Sequence, residues 1–493
     1  MKAGPVHHPP IIERREWIMK KQTKWFIIPC AALGLTLGSA LVSFAATGWA
    51  EENGEWVYYQ KDGSKATDVF AKSGNNWFYL DSDGTMAKSQ LIEKDDNYYY
   101  VNSAGAMVTS EWREVENEDA GGDEPDTYWY YLQSNGKAVK KSGSSNNVKF
   151  VTLPNASGQG RYTFDEEGRM LFGWIDESGE MLTDDDAWKS GMYYCGENGD
   201  GRVATGWKYI TAENDEDTER EGDGYWFYFA TNGKKTKDND NKKINGRKYR
   251  FDENGAAHFE WYNNPGTASG SNAVNKFYSS EEQCWMSTGW FKAIPNEDID
   301  PEGHDDGDEQ WYYADSSGDL AMAEIKKING QSYGFDQYGK MLHGLYKIEF
   351  EENGKTIRTA EEIESFDDLP DEDEDGVFVY YFADSPKEGA MKTGTVTIEL
   401  DGDKYAYSFQ KSGSKKGAGI DGIDSDSIYI KGRRIEAEEG TKYQPFTYKD
   451  ETYLISTAGK LMKNKKNIKD SDDTYYKTDS KGIIVDSGSE KLD

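Results

Sequence analysis

The chain has 493 residues, of which 90 are acidic and 57 basic, and its formal net charge is −33. A field of this sign repels phosphate backbones and anionic lipid surfaces, so nucleic acids and acidic membranes are not expected partners. Aromatic residues make up 14% of the chain, which argues against disorder and indicates many short strands held together by aromatic packing.

The N-terminus is predicted to be an upstream extension followed by a signal peptide, together residues 1–45. A basic stretch opens at Met19, residues 25–42 are apolar, and small residues lead up to Ala45, where we expect cleavage. We hypothesise that Met1 is a mis-called start and that translation begins at Met19. The apolar run is long for a leader, and the alternative is an uncleaved anchor. After cleavage no membrane attachment is expected, and the protein is predicted to be secreted.

An eight-residue word recurs through residues 46–394, with an aromatic quartet, three polar residues and a glycine. The clearest copies are Trp56–Gly63, Trp77–Gly84, Tyr98–Gly105, Trp129–Gly136, Trp226–Gly233 and Trp311–Gly318. The quartet suits a half-buried strand, and the polar residues with the glycine suit a tight turn, so each word predicts strand, turn and short second strand. Because one hairpin is barely stable alone, the fold class is predicted as an all-β extended solenoid of stacked hairpins, with about 14–16 repeats of ~21 residues.

Two further patterns divide the array. Residues 242–252 resemble residues 326–336 at an offset of 84 residues, which predicts a duplicated module of about three hairpins. Acidic insertions separate several words and are predicted to be long solvated hairpin loops on one face: 114–126, 213–223, 296–309 and 361–375. Residues 395–493 are predicted to be degenerate, lysine-richer terminal repeats.

Chemistry for catalysis or metal binding is not recognisable. Cys30 lies in the leader, so Cys195 and Cys284 are expected to be buried thiols, with a single bridge between them as the alternative. Residues 371–376 copy the first half of a calcium-binding EF-hand loop, but Phe382 stands where the bidentate glutamate is required. No stretch of catalytic-domain size lies outside the repeats. The sequence therefore predicts no enzyme, no cofactor and no metal.

The words and their flanks resemble a known family. Gly48-Trp49, Thr205-Gly206-Trp207 and Thr288-Gly289-Trp290, each linked to a later Trp-Tyr-Tyr-type word, resemble the cell-wall-binding repeats of Gram-positive secreted proteins. That family includes choline-binding modules, glucan-binding repeats of glucosyltransferases and the terminal repeats of clostridial toxins. The resemblance covers roughly residues 47–485.

The resemblance implies aromatic ligand sites. In choline-binding members a quaternary ammonium, which cannot donate a hydrogen bond, is held between aromatic faces by cation–π attraction; glucan-binding members stack sugar rings on the same aromatics. The ligand-binding residues implied for this chain are Trp49, Trp56, Trp77, Trp112, Trp129, Trp207, Trp226, Trp290 and Trp311. The competing interpretation is that these rings only pack between repeats.

The expected function is therefore non-catalytic attachment to a bacterial cell-wall polymer, either choline-decorated teichoic acid or a glucan. The alternative is a structural spacer or surface interaction protein whose acidic loops contact a protein partner. Accessible tryptophans between repeats favour the first function, and fully buried tryptophans favour the second.

Overall fold

A computed structural model describes residues 47–121, 124–141, 147–212, 224–263, 275–372, 374–383 and 388–492. The predicted leader, Cys30 and the insertion 213–223 lie outside these ranges. Within them the structure is nearly all short antiparallel strands, which confirms the all-β prediction. No helix in the described ranges has both the length and the hydropathy needed to span a membrane.

Two compact units make up the chain, Met1–Ile92 with Tyr99–Val108, and Glu93–Tyr98 with Thr109–Asp493. The strands before residue 109 are β1 (Gly48–Glu52), β2 (Glu55–Tyr59), β3 (Val69–Ser73), β4 (Asn76–Leu80), β5 (Gln90–Lys94) and β6 (Asn97–Val101). The boundaries predicted at 45/46 and 394/395, and the solenoid arrangement of the complete chain, stay predictions.

The elements from residue 109 to residue 343 are mostly two-stranded hairpins. They are β7 (Glu111–Glu116), β8 (Thr127–Leu132), β9 (Val151–Asn155), β10 (Gly158–Tyr162), β11 (Trp174–Ile175), β12 (Met181–Leu182), α1 (Ala187–Ser190), β13 (Tyr193–Tyr194), β14 (Gly206–Thr211), β15 (Gly224–Phe229), β16 (Asn239–Ile244), β17 (Arg247–Phe251), β18 (Glu260–Asn263), β19 (Asn275–Tyr278), β20 (Gly289–Ala293), α2 (Pro301–Asp305), β21 (Gln310–Ala314), β22 (Glu324–Ile328) and β23 (Gln331–Phe335).

From residue 344 onward several strands join larger sheets, in the orders β25-β24-β26-β27, β28-β29-β32-β31-β30 and β35-β36-β37. These strands are β24 (Gly344–Phe350), β25 (Ile357–Glu362), β26 (Val377–Ala383), β27 (Ala390–Met391), β28 (Gly394–Leu400), β29 (Asp403–Phe409), β30 (Gly422–Asp424), β31 (Ser427–Ile430), β32 (Arg433–Arg434), β33 (Tyr443–Tyr448), β34 (Glu451–Ser456), β35 (Ile468–Lys469), β36 (Tyr475–Thr478) and β37 (Ile484–Gly488). A 3₁₀ turn spans Phe366–Asp368.

The aromatic words form the second strand of each hairpin, not the first as predicted. Trp56 to Tyr59 pair with the preceding strand β1, and the quartet that begins at Trp226 pairs with β14. The short strand predicted after each glycine makes only a single bridge to its own word, as between Leu80 and Met86. The physical reason is that the backbone after the glycine also bonds to the preceding hairpin, where Met86 N donates to Trp56 O at 2.8 Å.

The predicted turns are confirmed. Gly84 and Gly255 have φ of +77° and +92°, a left-handed conformation that glycine adopts without a steric penalty. The first turn residue fixes the loop with its side chain, because Asp81 Oδ1 accepts hydrogen bonds from Asp83 N at 3.0 Å and Thr85 N at 2.9 Å. The same side-chain-to-backbone turn recurs at Asp252, which explains why aspartate and asparagine begin these turns.

Successive hairpins are joined by one recurring backbone hydrogen bond. The amide two residues after the turn glycine donates to the carbonyl of the first word residue in the preceding hairpin. In the larger unit it is seen from Ala138 to Tyr98, Met170 to Trp129, Lys235 to Met192, Ala257 to Trp226 and Met341 to Trp311, at 2.7–2.8 Å. Met286, two residues after the positive-φ Cys284, makes the same bond to Lys248 at 2.9 Å. Tyr98, Met192 and Lys248 therefore occupy the position of the word tryptophan.

The core is a series of small clusters, each lying between neighbouring hairpins. Its most buried member is the fourth word residue, which is fully buried at Leu132, Phe229 and Phe251. Cys195 and Cys284 are both buried and free, which confirms the expectation of two thiols. Burial raises the pKa of Cys195 to about 12, so this thiol is unreactive.

The acidic insertions follow the prediction of solvated loops only in part. Residues 114–116 belong to β7, and the described residues between β7 and β8 are a mostly exposed hairpin loop, as predicted, whereas residues 361 and 362 end β25. The segment 296–309 contains α2, and its Asn296 and Asp300 are only 5% exposed. The physical reason is that each insertion contributes paired strands or buried polar anchors, and Asp300 forms an ion pair with Lys340 at 2.9 Å.

Candidate functional site

The tryptophan near the start of a hairpin makes the same contacts in both halves of the predicted duplication. Trp207 packs against Tyr228 of its own hairpin, with ring centroids 5.3 Å apart, and against Tyr249 of the next at 4.8 Å. Trp290 packs against Tyr313 at 5.2 Å and Tyr333 at 4.7 Å. In both modules the first strand of the hairpin begins at a positive-φ glycine, Gly206 in β14 and Gly289 in β20. The tryptophan that follows this glycine contacts its own hairpin and the next one.

The word tryptophan completes an aromatic corner. The rings of Trp207 and Trp226 lie 6.4 Å apart at an interplanar angle of 83°. Trp290 and Trp311 repeat this arrangement at 6.3 Å and 88°. All four rings are half-buried, so each is held by packing and is still partly accessible. Each pair is packed edge to face and leaves part of its indole surface exposed, and an exposed indole face suits a compact cation or a stacked sugar.

The remaining predicted residues follow this arrangement to different degrees. Trp112 contacts Tyr131 and Tyr162 at 5.2 Å and 4.8 Å, and Trp129 packs against the same cluster. In the first unit, Trp49 and Trp56 belong to one cluster. Trp77 lies outside that cluster and is 41% exposed. Successive side chains of β4 point to opposite faces, and it is the next residue, Phe78, whose ring packs against Trp49.

Four tryptophans of the repeats were not among the predicted site residues. Trp174 and Trp188 are buried, with 7% and 5% exposure. Trp174 follows Gly173, so the Gly-Trp pattern that identified the other tryptophans also identifies this one. Trp261 follows Glu260, whose φ of +56° takes the place of the glycine. Trp285 lies under the Arg247 guanidinium, whose carbon is 3.3 Å from the ring centroid, so this ring already has a cation.

One buried lysine places its side-chain nitrogen among the rings of such a cluster. Lys235 is 4% exposed, and its Nζ lies 4.9 Å from the Trp174 ring centroid and 5.5 Å from that of Phe227. The ammonium also donates to the Trp188 carbonyl at 2.5 Å. Burial lowers the pKa of Lys235 to about 7, whereas the carbonyl and the ring faces favour the charged form.

The chemistry available at the corners is recognition by shape and charge. Within the described ranges no group of histidine, cysteine, aspartate and glutamate side chains has an arrangement that could hold a metal ion. The rings offer apolar faces with a negative quadrupole, and their indole edges supply donors, as where Trp112 Nε1 donates to Pro154 O at 2.7 Å. Such a surface binds a quaternary ammonium or the face of a pyranose ring.

Comparison with known proteins matches these hairpins to repeat families. A model described as a choline-binding repeat matches residues 46–83 and 70–112, and a model of cell wall binding repeats matches residues 305–320. Glucosyltransferase-I of Streptococcus downei is 25% identical over 64% of this chain and 21% of its own length, so the chain spans about a fifth of that curated relative.

Solved structures with similar repeats come from Streptococcus pneumoniae. CbpJ of strain TIGR4 is 19% identical, with 71% of this chain and 99% of that chain covered and a TM-score of 0.41. Choline binding protein F is 20% identical, with 74% and 98% covered and a TM-score of 0.34. The segments that the two repeat models match contain strands β1 to β6 and β21, so these parts of the chain are identified as choline-binding and cell wall binding repeats.

Proposed function

We propose that this protein is a secreted, non-catalytic protein that attaches to a Gram-positive cell-wall polymer, either choline-decorated teichoic acid or a glucan. The observation that carries the proposal is the half-buried aromatic corner of Trp207 and Trp226, which recurs at Trp290 and Trp311 with nearly the same distance and angle. Edge-to-face packing is common among aromatic pairs, so what supports the proposal is that the indoles of both corners stay only half-buried at equivalent places.

The two ligand classes use the corner differently. A quaternary ammonium gains about 0.5–2 kcal/mol over an aromatic face, depending on how far it is desolvated. Similarity to a streptococcal glucosyltransferase supports the glucan as the other candidate. Either ligand is weak at one site, so retention on a polymer relies on several sites acting together.

Location follows from this proposal. We expect the mature chain outside the cell, held on the wall and without contact to membrane or nucleic acid. The formal charge of −33 supports this expectation because anionic polymers repel the chain except where a cationic substituent meets an aromatic face.

The test is a pull-down of residues 46–493 on purified choline-containing cell walls, eluted separately with choline and with soluble glucan. We expect elution by choline, or by glucan if sugar stacking dominates. The double variant Trp56→Leu/Trp226→Leu is expected to lose at least about 10-fold in wall retention. Retention depends on several weak sites that bind the polymer together, and the variant removes a tryptophan from two of them.

The matched control is Trp261→Leu/Trp285→Leu, which removes two half-buried tryptophans outside the proposed sites. Trp261 Nε1 is bonded to the Ile294 carbonyl, and Trp285 is covered by Arg247. Equal loss in both double variants contradicts the assignment of Trp56 and Trp226 as ligand-binding residues. No wall binding by the unmodified chain overturns the proposal and favours the structural spacer, which the buried Trp174 and Trp188 support.

A further inference from the structure

The residue directly opposite each word tryptophan varies in charge from one hairpin to the next. Opposite residues of an antiparallel pair point to the same face of the sheet, with Cβ atoms about 5 Å apart. Two word tryptophans face a glutamate, in the pairs Glu51–Trp56 and Glu114–Trp129. Two others face a lysine, in the pairs Lys72–Trp77 and Lys292–Trp311.

Both opposite lysines lie over the tryptophan that they face. Lys72 Nζ is 5.8 Å from the Trp77 ring centroid, and Lys292 Nζ is 5.2 Å from that of Trp311. The two lysines are exposed, and neither has a carboxylate within ion-pair distance among the described residues. Each ammonium therefore occupies the space above the ring where a ligand cation would bind, and repels a second cation there.

The opposite glutamates place no cation over the ring and add attraction. Glu51 and Glu114 are exposed, and no lysine or arginine lies over Trp56 or Trp129 in the part of the chain that the structure describes. Glu114 also accepts a hydrogen bond from Thr127 Oγ1 at 2.9 Å, which holds the carboxylate beside the strand. A carboxylate at this distance attracts a cation that sits over the ring.

We propose that the residue opposite the word tryptophan determines which aromatic faces bind a quaternary ammonium: Trp56 and Trp129 bind it, whereas Trp77 and Trp311 are occupied by the chain's own lysines. Trp226 faces the neutral Tyr209, with the two ring centroids 5.5 Å apart. The opposite residue therefore neither attracts nor repels a cation at Trp226. This inference rests on the proposed function and assigns its sites individually.

The test is calorimetric titration of the full chain with choline and with its uncharged isostere 3,3-dimethylbutan-1-ol. Glu114→Lys is expected to weaken choline binding at one site about five-fold, and Lys292→Glu to strengthen it at another by about the same factor. Lys327→Glu makes the same charge change opposite Ser332, where no aromatic face is present, and is the matched control. Affinity for the isostere is expected to be equal in all variants.

The outcomes separate the inference from the proposed function. Choline binding that is the same in both test variants and in the control overturns the inference and leaves the function standing. An equal gain for the isostere in Lys292→Glu also overturns it, because the effect is then steric. If the unmodified chain binds no choline, choline is not its ligand. The inference then fails as well, unless Lys292→Glu produces choline binding.

Discussion

One position in each repeat, two residues after the turn glycine, carries different side chains in different hairpins. Met86 and Met170 fill it in two hairpins, and Ala257 fills it in another. Lys235 occupies the same position, where its backbone amide keeps the recurring bond to Met192 and its ammonium lies beside Trp174. The site therefore contains a buried cation where related hairpins contain an apolar side chain.

Replacing this lysine is expected to stabilise the protein in a pH-dependent way. The pKa of Lys235 falls from its ordinary 10.5 to about 7 on folding, so the cost of burial is complete below pH 7 and disappears towards pH 10.5. Lys235→Met is expected to raise the free energy of unfolding by about 2 kcal/mol at pH 6, with the gain shrinking at pH 9.5. Urea denaturation at the two pH values measures this, and a gain that does not change with pH contradicts it.

At the scale of the element, the insertion 296–309 is anchored by a buried polar network. The side chain of Asp300 accepts a hydrogen bond from Gly303 N at 3.3 Å and pairs with Lys340, whose Nζ also lies 3.9 Å from Asp336 Oδ2. Burial raises the pKa of Asp336 to about 6. Lys340 thus neutralises two buried carboxyl groups and joins α2 to the turn that follows β23.

Removing that lysine is expected to release the insertion. Lys340→Met leaves Asp300 buried without its cation, which costs about 1–3 kcal/mol locally. Hydrogen exchange is expected to speed up at the amides of Gly303 and His304, whose acceptors belong to Asp300. Lys327→Met, an exposed lysine of β22, is the control and should leave these rates unchanged. Unaltered exchange in Lys340→Met contradicts the anchoring role.

Across the whole molecule, local patterns were predictable and distant pairings were not. The turn glycines follow from short sequence words because each turn depends on neighbours within one hairpin. The strand before a word has a Gly-Trp signature in only some hairpins; β16, for example, is largely polar, and its role depends on its pairing with β17.

The larger sheets illustrate the limit of local patterns. Tyr407 pairs with Arg433 to join β29 to β32, and no periodic word marks Arg433. The candidate sites show the same limit. Glu51 and Lys72 matter because they lie opposite Trp56 and Trp77, and that pairing is known only from the strand register. The tryptophans themselves were predictable from resemblance, whereas the charge that faces each one required the register of the hairpin.

The most direct test of the central claim is a crystal structure of the full chain grown with choline. We predict density for a trimethylammonium group within about 6 Å of the ring centroids of Trp207 and Trp226, and over Trp56 and Trp129. Choline bound only away from these rings, or rings that stay without a ligand at a concentration that elutes the protein from cell walls, would contradict the account.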